Sequence, residues 1–255
     1  MKEKLKKSRK NKDIIEIFGF HAVKAALQNT KRIHQKLIIS SSLQEKFRKL
    51  DHRVNQIISV PNQKFSKIYG NEKNHQGVIL KTSKLKQPSI DEVILKSKEK
   101  QNEIVIMLDQ VTDPQNIGSI MRSCATFNCN SIIVAKDNAP DITSAMTKAA
   151  SGALEIVNYV KITNLSRAII KFKKNNFWVV GFDSNNNHLV NNIQLPKKCL
   201  LIFGAEDKGL RKLTKKECDQ ILKIPINSNS QYGIESLNVS HACTIALYEH
   251  FKINN

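Results

Sequence analysis

Three polar stretches of this 255-residue chain hold the side chains best able to do chemistry, and each comes after an apolar run that reads as a strand. The first, Leu108-Asp109-Gln110-Val111-Thr112-Asp113-Pro114-Gln115-Asn116, leads into a helix that carries Arg122. Pro114 keeps the residue before it out of the helical region, and Asn116 is placed to cap the helix. Read structurally, Asn116 is a plain N-cap and Arg122 a surface cation. Six residues of helix turn through about 600°, so the two need not share a face. The second stretch runs from Leu200 to Leu210 and holds Gly204, Glu206 and Gly209. It is no phosphate loop, because Leu210 rather than lysine comes after Gly209 and the chain has no G-x-G-x-x-G. Its glycines still permit positive φ and close approach of a ligand to the backbone, the plain alternative being a turn. The third begins at Ile224-Pro225-Ile226 and resumes at Ser236-Leu237-Asn238, opening the terminal helix. Ser236 and Asn238 also suit capping.

The elements that must position these residues alternate. After the first dozen residues, a Lys-rich charge run, β-type and helical patterns succeed each other from Ile14 to Lys81 and predict a small α/β lobe over residues 14–83. Residues 84–101 read as a linker with one helix announced by a capping box, Ser89 with Glu92. Over 102–255 strands are expected at Ile104–Leu108, Ser131–Val134, Tyr159–Ile162, Phe177–Phe182, Leu200–Phe203 and Gln220–Ile224. Several are apolar on both faces, the mark of a parallel sheet covered by helices. Helices are expected at Asn116–Phe127, Thr143–Ala150, Leu165–Asn175 and Asn238–Phe251. The fold class is α/β, with a doubly wound sheet in the second lobe. In such sheets ligands bind beyond the carboxyl ends of strands, where all three polar stretches lie.

Composition narrows the partners. Lys and Arg number 41 against 22 Asp and Glu, a net charge of +19, which points to a polyanion. Residues 1–100 hold +15 of it and residues 101–255 only +4. The bland reading is a Lys-rich composition spread over solvated faces. No apolar run approaches the roughly 20 residues of a spanning helix, and no secretory signal is expected. The five cysteines form no C-x-x-C pair, which argues against a zinc ribbon or a disulfide framework and fits reduced thiols in the cytoplasm. No metal site is expected.

Taken in order, LDQVTDPQNIGSIMRSC, LIFGAEDKGL and IPI…ESLNVSHACTIALYEH resemble the three motifs of the SpoU-type RNA 2′-O-ribose methyltransferases of the SPOUT superfamily. The resemblance covers residues 101–255. Phe18-Gly19-Phe20-His21-Ala22-Val23 and His75-Gln76-Gly77-Val78 are similar to the two ends of the substrate-binding domain that precedes the catalytic domain in members that methylate a guanosine ribose of 23S rRNA. The resemblance implies a C-terminal trefoil knot, an L30e-like first lobe, S-adenosylmethionine as cofactor, RNA as partner and a homodimer. It implies Asn116, Arg122, Glu206, Ser236 and Asn238 as catalytic-site residues, and Gly204, Gly209, Ile224 and Leu237 as cofactor-binding positions. The family's loop after Pro225 is usually shorter; here Asn227 to Tyr232 extends it and Gly233 is shifted.

A ribose 2′-OH is a poor nucleophile, and the sulfonium methyl arrives already activated. The protein's task is alignment and help with the proton. The family's proposed base corresponds to Arg122, yet an arginine pKa above about 12 argues against it. Arg122 is better read as holding phosphate and stabilising oxyanion charge, with Glu206 and Ser236 orienting it. Two rivals stand beside this reading. A non-catalytic ribosome-assembly factor would be expected to lack some of Asn116, Arg122, Glu206 and Asn238, and all are present. A transfer-RNA substrate is disfavoured by the full first lobe.

Overall fold

The computed structural model describes residues 13–50, 53–69, 75–184, 194–226 and 236–254. The charge run of residues 1–12, the extended loop at Asn227 to Tyr232 and Gly233 lie outside them, as does the path through 227–235 on which the implied knot depends. In chain order the first elements are β1 (Ile14–Phe18), α1 (Phe20–Gln28), β2 (His34–Ser40), α2 (Gln44–Phe47), β3 (Val54–Val60), α3 (Asn62–Tyr69) and β4 (Val78–Ser83). Then come α4 (Ile90–Ser97), β5 (Glu103–Asp109), α5 (Pro114–Thr126), β6 (Ser131–Ala135), α6 (Ser144–Ala150) and β7 (Asn158–Ile162). The last are α7 (Leu165–Lys173), β8 (Trp178–Phe182), β9 (Lys198–Gly204), α8 (Lys212–Glu217), β10 (Gln220–Leu222) and α9 (Val239–Asn254). Among the described residues, no helix is long and apolar enough to cross a membrane.

The chain divides into two compact units. The first comprises residues up to Lys86 together with Ile142–Glu155. Its sheet has the order β1-β4-β2-β3, antiparallel except for the β2–β3 pair. Helix α1 buries Ala22, Val23, Ala26 and Leu27, a stripe at helical spacing. Phe18, Ile38, Val60, Phe65 and Ile79 form an apolar cluster. Helix α6 belongs to this unit, although it falls between β6 and β7 in the chain. It ends in left-handed backbone at Ser151 and Gly152, and a Cβ on Gly152 would come within 2.9 Å of the Ala25 Cβ. Glu155 then anchors the segment. Both its oxygens accept from Arg32, at 2.8 Å each, and Asn29 donates to it at 2.7 Å. The remaining Arg32 donor finds the Ser83 carbonyl. This ion pair is fully shielded on the Arg32 side and nearly so at Glu155.

The second unit holds Gln87–Asp141 and Ile156–Asn255. Its six strands are all parallel, in the order β10-β8-β9-β5-β6-β7. Val105, Met107, Ile133, Val160, Val179, Leu200 and Ile202 form the sheet's share of one core cluster. Val93 and Ile94 of α4 join it. The expected capping box closes α4: Ser89 Oγ accepts from Glu92 N at 3.2 Å, and Glu92 accepts from Ser89 N at 2.7 Å. Helices α5 and α9 are joined by a 2.7 Å hydrogen bond between Ser123 Oγ and Thr244 Oγ1. One expectation is corrected. Asn116 does not cap α5; Asp113 does, accepting from the backbone N–H of Gln115 and Asn116 at 3.1 Å each. Pro114 at the first helical position decides this, since its fixed φ suits that place and its missing N–H leaves nothing to cap there.

Arg32→Met would leave Glu155 a buried charge without its cation, and a loss of about 3–5 kcal/mol is expected in urea denaturation. Converting both partners to Met should recover most of it. A single-variant loss below about 1 kcal/mol would show the pair to be screened like a surface one.

Candidate active site

Strand order reverses between β5 and β9: from β5 the chain builds outward through β6 and β7, and later returns to the other side. Asp109 and Gly204 stand in register at the ends of these two strands. The Asp109 carboxylate is wholly buried. It accepts from Arg211 N at 3.2 Å, from Arg211 Nε at 2.6 Å and from Thr214 Oγ1 at 2.6 Å. These bonds pin the start of α8 to the end of β5 and fold the intervening loop, 204–211, over the strand ends. Gly209 closes that loop by donating to Ala205 O at 2.8 Å, with φ +61°. A Cβ on Gly204 would lie 2.1 Å from the Gly209 carbonyl carbon and 2.5 Å from Leu210 N. The glycine is therefore demanded by the chain's own backbone, and not only by an approaching ligand as the sequence suggested.

Under the loop lies a cavity. Gly204, Gly209, Ile224 and Leu237, the four positions expected to hold a cofactor, all line it, and so do Glu206 and Ser236. Phe182 and Phe203 stack face to face beside it at 4.7 Å and line it as well. Asp183 lines it too, almost buried and paired with Lys215 at 2.5 Å. Phe182, Phe203 and Asp183 were not singled out from the sequence. The signal was available, since each stands at or just past the carboxyl end of a strand.

At the mouth of the cavity the three polar stretches meet. Glu206 Oε1 accepts from Asn116 Nδ2 at 3.2 Å, from Asn238 Nδ2 at 2.7 Å and from Val239 N at 3.1 Å. Asn238 Nδ2 also donates to Asn116 Oδ1 at 2.9 Å. Asn238 Oδ1 accepts from Ser240 N at 2.9 Å, capping α9. Glu206 thus sits against a helix N-terminus, where a carboxylate is favoured by the helix dipole. Accepting all three bonds through one oxygen, Glu206 orders two amides and a helix start. Because Asp113 does the capping of α5, the Asn116 side chain is available for this cluster. Arg122 is not part of it. It is exposed on α5, and among the described residues its guanidinium makes no hydrogen bond or ion pair. No bond from Glu206 or Ser236 orients it, contrary to the expectation.

No thiol among the described residues is poised as a nucleophile at this site. Cys124, Cys129, Cys199 and Cys243 are buried, and burial pushes the thiols of Cys124, Cys199 and Cys243 well up. Cys218 is pushed up to about 12, chiefly by burial.

A family model described as the SpoU rRNA Methylase family matches residues 103–248, and one described as RNA 2'-O ribose methyltransferase substrate binding matches residues 17–88. The 23S rRNA (guanosine-2'-O-)-methyltransferase RlmB of Coxiella burnetii is 34% identical over 247 residues, covering 92% of this chain and 94% of the relative. The protein of the same name from Haemophilus influenzae is 32% identical over 245 residues, covering 92% and 96%. Among solved structures, the SpoU methyltransferase AviRb from Streptomyces viridochromogenes, in complex with AdoMet, superposes with a TM-score of 0.76 at 19% identity, over 96% of this chain and 91% of that one. A TrmH/SpoU tRNA modifying enzyme from A. aeolicus aligns at 21% identity with a TM-score of 0.52, over 64% of this chain and 83% of that one.

The geometry sets two expected outcomes. Gly204→Ala should lower the melting temperature with no ligand present, because the backbone of 209–210 has to move; overpacking of this kind costs about 1–3 kcal/mol. Unchanged calorimetric stability would return the glycine requirement to a ligand alone. Iodoacetamide at mildly alkaline pH should label the native protein far more slowly than the urea-unfolded one. Rapid native labelling with loss of activity would reveal a reactive thiol at the site.

Proposed function

The chain belongs to the SpoU rRNA methylase family, and from that premise we propose that it transfers the methyl group of S-adenosylmethionine to a ribose 2′-OH of RNA, the target being a guanosine of 23S rRNA. The observation that carries this reading is the meeting of Asn116, Glu206 and Asn238 at the mouth of a cavity formed at the switch point of a parallel sheet. The cavity fits such a cofactor in its chemistry. Stacked Phe182 and Phe203, with Ile224 and Leu237, offer apolar walls to an adenine ring, and the carboxylates of Asp183 and Glu206 face a ligand that carries positive charge. When bound, S-adenosylmethionine supplies a methyl group already activated on a sulfonium sulfur.

The chain's own residues do the rest. Loop 204–211, braced by Asp109, gives the cavity a fixed shape before any ligand enters. Glu206 holds the amides of Asn116 and Asn238 in one orientation, so that the nucleotide meets a preset rim. Arg122, always charged, does not take the proton from the 2′-OH. Its exposed guanidinium binds the phosphate next to the target ribose and stabilises negative charge as it develops on the oxygen. The proton leaves through that phosphate or through water.

The protein acts as a homodimer in the cytoplasm, where ribosomal RNA is its substrate. Phe127 of the α5 end packs against Tyr248 and Phe251 of α9, and the latter two remain 49% and 36% exposed. Exposed aromatics grouped on one face are the usual material of an interface, and a second copy of the chain covers them. A ribosomal rather than a transfer-RNA substrate is supported by coverage: the tRNA-modifying neighbour spans 64% of this chain, whereas the relatives named as 23S rRNA methyltransferases align over 92% of it.

Arg122→Ala should abolish methyl transfer yet leave the S-adenosylmethionine dissociation constant within a few-fold of wild type, because Arg122 does not line the cavity. Arg122→Lys should be nearly as damaging, since an ammonium does not reproduce the planar fork. Equal loss of transfer and of calorimetric cofactor binding would refute this division. Mapping 2′-O-methylated nucleotides in ribosomal and transfer RNA from cells with and without the gene tests the substrate; a lost methyl in transfer RNA alone would overturn the ribosomal reading.

A further inference from the structure

A second concave site lies at the opposite end of the same parallel strands. Trp178 opens β8, Lys198 opens β9 and Gln101 precedes β5, whereas the cofactor cavity lies where β8 and β9 finish, at Phe182 and Gly204. Four strand steps of about 3.3 Å put Trp178 roughly 13 Å from Phe182 along β8.

Trp178 is the single tryptophan of the chain, and 46% of it faces solvent while its neighbours Phe177 and Val179 are 3% and 0% exposed. A large aromatic left half uncovered in a strand whose other four residues are buried forgoes burial that would stabilise the fold. Its indole N–H has no hydrogen-bond partner among the described residues. The open cleft beside it has a volume of about 520 Å³, within the ~300–1,000 Å³ range of ligand sites. Lys197 and Lys198 line the cleft. Lys198 is fixed in place, its Nζ donating to Ser97 O at 2.9 Å and lying 4.9 Å from the centre of the Phe177 ring. Lys197 is exposed and, among the described residues, its ammonium has no ion pair. Among the described residues the one carboxylate in the lining, Asp219, is already engaged: Lys173 pairs with it at 2.7 Å and Val179 N donates to it at 2.8 Å. The cleft therefore presents an aromatic face, a free cation and no uncompensated negative charge. That combination is how proteins hold unpaired nucleotides, by stacking the base and neutralising the phosphate. The local excess of cations, Lys173, Lys197 and Lys198 against Asp219, makes a phosphate-bearing chain the fitting occupant.

We propose that Trp178 is a stacking platform for an unpaired base of the RNA substrate, with Lys197 and Lys198 set for the adjoining phosphates. This rests on the reading of the chain as an RNA methyltransferase. The base held here is not the one whose ribose is methylated, because the methyl donor's cavity lies a full strand length away. The site supplies register and affinity for a neighbouring single-stranded nucleotide.

Because Trp178 is the only tryptophan, its fluorescence reports on this cleft alone. A short single-stranded oligouridylate and a labelled fragment of 23S rRNA, added to the full-length protein at low salt, should each quench it saturably, and the quench should recede as salt is raised. Trp178→Ala should weaken binding of the labelled RNA by about five- to a hundredfold, the worth of one stacked base, and Trp178→Phe should restore much of the loss. In turnover, Trp178→Ala should raise the KM for RNA with kcat unchanged, and S-adenosylmethionine affinity should not move. Labelled RNA that binds the wild type fully without altering Trp178 fluorescence would overturn the proposal and leave the RNA-methyltransferase reading intact. So would wild-type RNA affinity in Trp178→Ala. A fluorescence change that tracks protein concentration without RNA would instead mark the cleft as a contact between copies of the chain. Absence of any RNA binding by the wild type would overturn the reading on which the proposal rests.

Discussion

The carboxylate of Asp109 is the constraint on which the second unit's site depends. A buried negative charge is tolerated only with its acceptor sites filled, and Arg211 and Thr214 fill them from the far end of the 204–211 loop. The loop therefore has little freedom to open. Its glycines result from that closure: Gly204 is small because the Gly209 carbonyl is pressed against it, and Gly209 takes positive φ to make the turn. Glu206, carried between them, is delivered to the start of α9 and to Asn116. One buried carboxylate at the end of β5, paired with a half-exposed arginine, thus sets the shape of a cavity and the position of a rim residue nearly a hundred positions later in the chain.

The rim divides its labour in a way that side-chain chemistry explains. An asparagine amide both donates and accepts, and here Asn238 spends its oxygen on capping α9 and its NH₂ on Glu206 and Asn116. Asn116 is spared capping duty by Asp113. A carboxylate caps as well as an amide does, but only the amide can also donate a hydrogen bond to Glu206. The order Asp113-Pro114-Gln115-Asn116 therefore assigns each residue the task its atoms permit.

Much of this is legible before any coordinates. Strand runs, several of them apolar on both faces, announce a parallel sheet, and the six runs expected are its six strands. The box of Ser89 and Glu92 announces α4. The polar stretches beyond strand ends point to the right edge of the sheet, because that edge is where parallel topology leaves room for a ligand. Three things escape. The cap of α5 is expected at Asn116 although Pro114, a residue suited to the first helical position, points to Asp113. The reason for Gly204 is hidden because contact with Gly209 depends on a fold-back that no local pattern encodes. The company kept by α6 is hidden most deeply, since Arg32 and Glu155 are separated by 123 residues and nothing in either's neighbourhood names the other.

That last separation has a consequence for how the protein is made. The first unit is not a contiguous stretch: its sheet is complete by Ser83, but Arg32 waits for Glu155. At about 5–20 residues per second, translation of the intervening stretch takes roughly 4–14 seconds. During that interval the emerging chain carries an arginine destined for burial with no carboxylate to meet it, and the groove that α6 will fill stands open beside α1. Meanwhile β5, α5 and β6 are synthesised before the anchor arrives, so the two units mature on overlapping schedules instead of one after the other. A nascent chain stalled between residues 100 and 150 would present the first unit in its least protected state, the form most exposed to chaperones and proteases.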